Sequence, residues 1–214
     1  MKSFVFVHST EKRMFSLLYG FYKWVLQKDE YFVVILGLDN AGKTTYLEQL
    51  KTKFTKGYKA LAASKITTTV GLNIGKIDFA GVRINFWDLG GQEELQSLWD
   101  KYYAECHAVI YVIDASDRSR LEESKVVFDQ MISSEHLSNV PLLILANKQD
   151  IPDSMGVREV KPVFVSAAER IGNRDCLVMP VCALNGEGVD EGAKWLVECI
   201  KRNSNNRPPR ERED

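Results

Sequence analysis

At 214 residues, with 45% hydrophobic and 27% charged side chains, the chain has the makeup of one soluble globular domain with short appendages. A formal net charge of -1 leaves no bulk basic surface, which argues against nucleic acid as a partner. The four cysteines, Cys106, Cys176, Cys182 and Cys199, lack metal-ligand spacing and read as reduced, mostly buried thiols of a cytosolic protein, while His8, His107 and His136 read as isolated surface or edge residues.

Taken in order, the chain opens without a signal peptide, because Met1-Lys2-Ser3 precedes only a short apolar stretch with no small-residue cleavage site. No apolar run is long enough to span a membrane. Residues 15–27, FSLLYGFYKWVLQ, place Ser16, Gly20, Lys23 and Gln27 on one narrow polar stripe of a helix, with aromatic and aliphatic side chains around the remainder. So short a helix does not persist alone in water. It must dock, either on the protein's own core or at a bilayer interface. Lys28-Asp29-Glu30 is a charged linker.

Residues 31–36, YFVVIL, form an apolar run typical of a strand buried on both faces, hence of a parallel sheet. The pattern G-x-x-x-x-G-K-[ST] follows at once as Gly37, Gly42, Lys43 and Thr44, between that strand and a helix running to Phe54. A polyphosphate needs several backbone N–H groups aimed at one point, glycines that let the loop approach closely, and the positive end of a helix. Asp39, Asn40, Ala41, Gly42, Lys43, Thr44 and Thr45 are therefore the candidate phosphate contacts, with the Lys43 ammonium on the terminal phosphates and the Thr44 hydroxyl suited to Mg²⁺.

Residues 55–66 have no period and read as a mobile loop; Thr67-Thr68-Thr69-Val70-Gly71 follows. Residues 72–79 and 82–87 alternate around Ala80-Gly81 as an antiparallel hairpin. Asp88-Leu89-Gly90-Gly91-Gln92 ends that strand, and residues 93–106 have helical character. Residues 108–114, AVIYVID, and 141–146, PLLILA, are further buried strands, followed by helical stretches at 118–134 and 157–171. A last strand at 176–182 and a last helix at 189–202 complete the pattern, and residues 203–214 are predicted to be a disordered polar tail. The fold class is thus α/β: a mostly parallel six-stranded sheet with helices on both faces and a ligand at the carboxyl ends of the strands.

Base choice is carried by Asn147-Lys148-Gln149-Asp150, directly after the third buried strand. A carboxylate at Asp150 can accept from both N1–H and the 2-amino group of guanine, whereas adenine has no donor at N1. The Asn147 amide can bridge loops and the Lys148 stem can cover the base plane. A polar turn would use similar residues. Cys182, Ala183 and Leu184 form a third base-side element, with the Ala183 N–H toward the guanine O6.

GLDNAGKTT, TTVGLN, WDLGGQEE, NKQD and CAL, in that order, resemble the nucleotide-binding motifs of the Arf family of small GTPases, over about residues 14–202. Within that family the chain looks most like the Golgi Arf-related branch. The resemblance implies a P-loop G domain over residues 31–202 that binds GTP, GDP and Mg²⁺. Thr69 would join Thr44 on the metal and Asp88 would support it through water. Gly91 would bind the γ-phosphate and Gln92 would orient the attacking water. Leu72, Trp87 and Tyr102 match the apolar triad that reports state to effectors. The resemblance further implies slow intrinsic hydrolysis, an exchange factor, an activating protein that supplies an arginine, and a hairpin that slips by an even number of residues. It points residues 14–27 to a membrane and the chain to the cytosol and the cytoplasmic face of Golgi and trans-Golgi membranes.

The departures are specific. Lys2 stands where Arf proteins carry the myristoylated glycine, so attachment is expected to involve a membrane-protein receptor or another modification. Met14-Phe15 matches the Arf-related start, which makes residues 1–13 an extension or a misassigned start. Leu72 replaces a phenylalanine of the triad, and Thr68 a proline. An ATPase or kinase is disfavoured by NKQD; a nucleotide-bound scaffold without turnover is disfavoured by Lys43, Thr44 and Gln92.

Overall fold

The computed structural model describes residues 28–164 and 167–210. The amphipathic segment at 14–27 and residues 1–13 lie outside the described residues, as do 211–214. The central strand β1 (Glu30–Leu36) is flanked by parallel partners on both sides. The sheet, six-stranded among the described residues, runs in the order β2-β3-β1-β4-β5-β6. Its members are β2 (Leu72–Phe79), β3 (Val82–Leu89), β4 (Ala108–Asp114), β5 (Leu142–Asn147) and β6 (Cys176–Pro180). Of the pairs between these strands, β2–β3 is antiparallel and the others are parallel.

Strand residues alternate between two apolar layers, as a pleat with period two requires. Val33, Ile35, Ile110, Val112 and Leu143 face helix α1 (Lys43–Phe54) and the C-terminal helix α7 (Val189–Arg202). Val34, Leu36, Val109, Tyr111 and Ile144 face α4 (Leu121–Ile132) on the other side. Helix α1 buries Tyr46, Leu47 and Leu50, each worth about 1.5 to 3 kcal/mol against exposure, and this seats the phosphate loop at its N-terminus. The chain leaves β1 toward β3 on one side and later builds β4, β5 and β6 on the other. The crevice at the strands' carboxyl ends opens at that change of direction.

Several expectations are corrected by tertiary contacts. The helical stretch at 93–106 is two short helices, α2 (Glu93–Gln96) and α3 (Asp100–Tyr103), and that at 157–171 contains α5 (Val157–Val163) and α6 (Ala168–Ile171). The loop at 55–66 is tethered: buried Glu48 accepts from the Tyr58 hydroxyl at 2.7 Å and the Leu61 N–H at 3.2 Å. His107 is buried; its Nδ1 accepts from the Phe32 N–H at 3.0 Å and its Nε2 meets the Pro208 carbonyl at 2.9 Å.

Residues 203–210, predicted to be disordered, fold back as a strap. Arg207 donates to the carbonyls of Tyr103, Ala104, Cys106 and His136, and the Arg210 N–H donates to the Glu30 carbonyl at 2.9 Å. A guanidinium with five donors satisfies a cluster of loop carbonyls that composition cannot reveal. Among the described residues no helix is long and apolar enough to cross a membrane.

Candidate functional site

The phosphate loop, residues 37–44, joins β1 to α1, and its glycines do different work. Gly42 is the N-cap of α1 with φ of 94°, and a Cβ there would lie 2.3 Å from Asn147 Nδ2. Gly91, at the end of β3, approaches so closely that a Cβ would lie 2.4 Å from both the Asp39 N and the Gly37 carbonyl oxygen. Its carbonyl accepts the Asp39 N–H at 3.2 Å. A cavity of about 420 Å³ opens between these loops, lined by Asp39, Asn40, Gly42, Lys43, Thr44, Thr45, Thr69 and Gly91 among others.

Lys43 donates to the carbonyls of Gly37 at 2.9 Å and Leu38 at 2.7 Å. Burial pushes its ammonium down to about 8, against the upward pull of Asp88 and Asp39. The cation is thus under-compensated, which favours an incoming anion.

Beside it the hydroxyls of Thr44 and Thr69 lie 2.7 Å apart, and Thr44 donates to Asp88 Oδ2 at 2.7 Å. Asp88 is wholly buried, and burial raises its pKa. Asn73 Nδ2 donates to its Oδ2 at 3.2 Å, while Oδ1 has no partner among the described residues. A buried, half-satisfied carboxylate next to two hydroxyls is an all-oxygen donor set, which fits a hard divalent cation such as Mg²⁺.

On the base side, Asn147 is 2% exposed and ties two loops together. Its Nδ2 donates to the Ala41 carbonyl at 2.8 Å and its Oδ1 accepts the Ala183 N–H at 2.9 Å. The Ala183 N–H, expected to face the guanine O6, is therefore engaged by the Asn147 amide. Lys148 takes a left-handed φ of 68°, and its ammonium is anchored to Asp114 Oδ2 at 2.6 Å. Asp150 is exposed and accepts from the Cys182 thiol at 3.0 Å; Leu184 is 56% exposed.

Gln92 caps α2 and is half-buried; its carbonyl accepts from the N–H groups of Leu95 and Gln96. Sequence reasoning missed the residues that hold the backbone before it. Gln96 Nε2 donates to the Gly91 carbonyl at 3.1 Å and Trp99 Nε1 to the Gly90 carbonyl at 3.0 Å. It also missed Asn73, Asp114 and Arg120. Of these only Asn73 lay within a recognised motif, as the last residue of TTVGLN.

Of the apolar triad, Trp87 and Tyr102 meet edge to face with centroids 5.3 Å apart. Leu72 lies on β2 two residues before Ile74, which pairs with Trp87 and is half exposed.

A loop shaped for a nucleoside polyphosphate, set opposite a turn able to read guanine, puts this molecule among the P-loop GTPases. Comparison with known proteins narrows the class. The chain belongs to the ADP-ribosylation factor (Arf) family, whose sequence profile matches residues 18–200. It is similar to ADP-ribosylation factor-related protein 1 of Bos taurus, 60% identical over 94% of this chain and 99% of that one. The Homo sapiens protein of the same name is 58% identical over the same shares. ADP-ribosylation factor-like protein 3 of Saccharomyces cerevisiae is 46% identical over 92% and 98%. Among solved structures it resembles the Trypanosoma brucei Arl6 small GTPase with a bound nucleotide analogue, GppNp. That match has a TM-score of 0.71 and 32% identity, and covers 81% of this chain and 98% of the other. The chain is an Arf-family small GTPase with a guanine-nucleotide site.

Proposed function

We propose that the chain is a GTP-timed switch that recruits effectors to Golgi and trans-Golgi membranes in vesicle trafficking. The observation that carries this reading is the convergence of Lys43, Thr44 and Thr69 on one cavity, with Asp88 buried behind Thr44 and Gly91 closing over the phosphate loop. Thr69 and Gly91 belong to segments that precede and follow the β2–β3 hairpin, so contacts to a terminal phosphate would fix both ends of it. Loss of that phosphate would free the hairpin to slip by two residues, the smallest shift that keeps Ile77, Ile84 and Phe86 on the core face.

In this reading the Thr44 and Thr69 hydroxyls would hold Mg²⁺, with the Asp88 carboxylate supporting it, and the ion would supply charge neutralisation for the transferred phosphoryl group. Lys43 binds the terminal phosphates and Gln92 orients the attacking water; no covalent intermediate forms. Hydrolysis alone is slow, and an activating partner that inserts an arginine adds roughly 10³ to 10⁵ in rate. An exchange factor reloads GTP. Leu72, Trp87 and Tyr102 report the bound state, and residues 14–27, with a membrane-protein receptor, attach the GTP form to the membrane. The names of the mammalian relatives, ADP-ribosylation factor-related protein 1, support the branch to which these roles are assigned.

The test has three readouts: competition between GTP and ATP, single-turnover hydrolysis with and without an activating extract, and recovery on Golgi membranes with GDP or a non-hydrolysable GTP analogue. Preference for guanine, stimulated hydrolysis abolished in Gln92→Leu, and recovery only in the triphosphate form are expected. Equal uptake of ATP, or membrane recovery indifferent to the nucleotide, would overturn the reading.

A further inference from the structure

A negative side chain lines a cavity that must accept a polyphosphate. Asp39 belongs to the lining of the phosphate cradle, and its carboxylate is 38% exposed there. Its Oδ1 accepts from Arg120 Nη2 at 2.8 Å, and its carbonyl accepts from Arg120 Nη1 at 3.3 Å. Arg120 comes from the far side of β4, just before α4, and lies outside every nucleotide motif of the sequence. Glu123 holds the same guanidinium from behind, taking Nε at 2.8 Å and Nη2 at 2.9 Å. The arginine is therefore fixed in one orientation by two carboxylates, with its charge directed at the loop.

We propose that Arg120 is a positioning and specificity-determining residue: by pairing with Asp39 it keeps that carboxylate turned and neutralised, so that the cradle accepts the extra charge of the triphosphate. The proposal rests on the guanine-nucleotide reading of this cavity. A bare Asp39 carboxylate would repel any phosphate, and because the Asp39 N–H bonds the carbonyl of Gly91, the residue that reading assigns to the terminal phosphate, GTP would suffer more than GDP. Removing Arg120 should cost on the order of tenfold in preference for GTP over GDP, the scale of one charge pair at short range in a partly solvated site. The pair is exposed enough that added salt should narrow the deficit.

The experiment measures affinity of the full chain for GDP and for a non-hydrolysable GTP analogue, in Mg²⁺ at low salt. Arg120→Ala should lose about tenfold of the triphosphate preference, and Arg120→Lys should keep most of it. Asp39→Asn placed in the Arg120→Ala background should restore it, which a merely structural role for Arg120 would not do. Arg120→Gln carries the same comparison if the alanine variant does not fold. Equal loss of both nucleotides, or no restoration by Asp39→Asn, overturns the proposal. Normal wild-type binding with an unmoved ratio in Arg120→Ala defeats this proposal alone, whereas a wild-type chain that takes neither guanine nucleotide defeats the reading of the site itself.

Discussion

Replacing Asn147 by alanine tests whether the base-side turn and the phosphate loop are one unit. The amide is 2% exposed and makes two hydrogen bonds, to the Ala41 carbonyl at 2.8 Å and from the Ala183 N–H at 2.9 Å. The variant leaves one buried acceptor and one buried donor without partners, each costing about 1 to 3 kcal/mol. Water entering from the adjoining pocket recovers part of this, so a net loss of about 2 to 4 kcal/mol is expected. For a domain of this size that lowers Tm by roughly 4 to 16 °C. The assay is thermal unfolding of the nucleotide-free and GDP-loaded forms. The loaded form should fall further, because the phosphate loop and the Ala183 loop lose their common support and GDP binding weakens with them. Val126→Ala, at a 49% exposed position on α4 away from the site, is the control and should shift little. An Asn147→Ala protein that melts with the wild type and binds GDP equally well would refute the claim that this amide couples the two loops.

Three further outcomes are expected. Gly91→Ala sets a Cβ 2.4 Å from the Asp39 N and Gly37 O, so it should keep GDP but lose the GTP-dependent change in Trp87 and Trp99 fluorescence; an intact change would remove Gly91 from the switch. Arg207→Ala strips donors from four carbonyls and should lower stability by about 2 kcal/mol with faster amide exchange around residues 103–107, seen in urea midpoints and hydrogen exchange. His107 must accept from Phe32 at Nδ1, so it is held neutral, and burial first, then Arg207, depress its pKa below the ordinary 6.5. Because the folded value lies below the unfolded one, this stability is present above about pH 6.5 and is lost as pH falls from there through the folded value. His107→Gln, able to accept from Phe32 and donate to Pro208, should flatten that part of the urea-midpoint profile; an unchanged slope would dismiss His107 as its source.

Much of this molecule was legible in one dimension. Periodicity placed the six strands and the C-terminal helix, because a buried strand or an amphipathic helix writes its own pattern of apolar residues. The loop from Gly37 to Thr44 was readable for the same reason: its chemistry comes from consecutive backbone N–H groups and needs no distant partner. Helix lengths at 93–106 and 157–171 were overread, since composition there tolerates helix without requiring it through every turn.

What only the tertiary structure decided are contacts between residues far apart in the chain. Arg120 reaches Asp39 across 81 positions, Ala183 meets Asn147 across 36, and the strap ties Pro208 to His107 across 101. A guanidinium, an imidazole or an amide carries no periodic signature, so its partner is set by where the sheet order brings two loops together. The sequence thus determined which anion-binding chemistry the chain carries and on which edge of a parallel sheet it sits. Folding decided which charges compensate it, because compensation depends on distance through space and not along the chain.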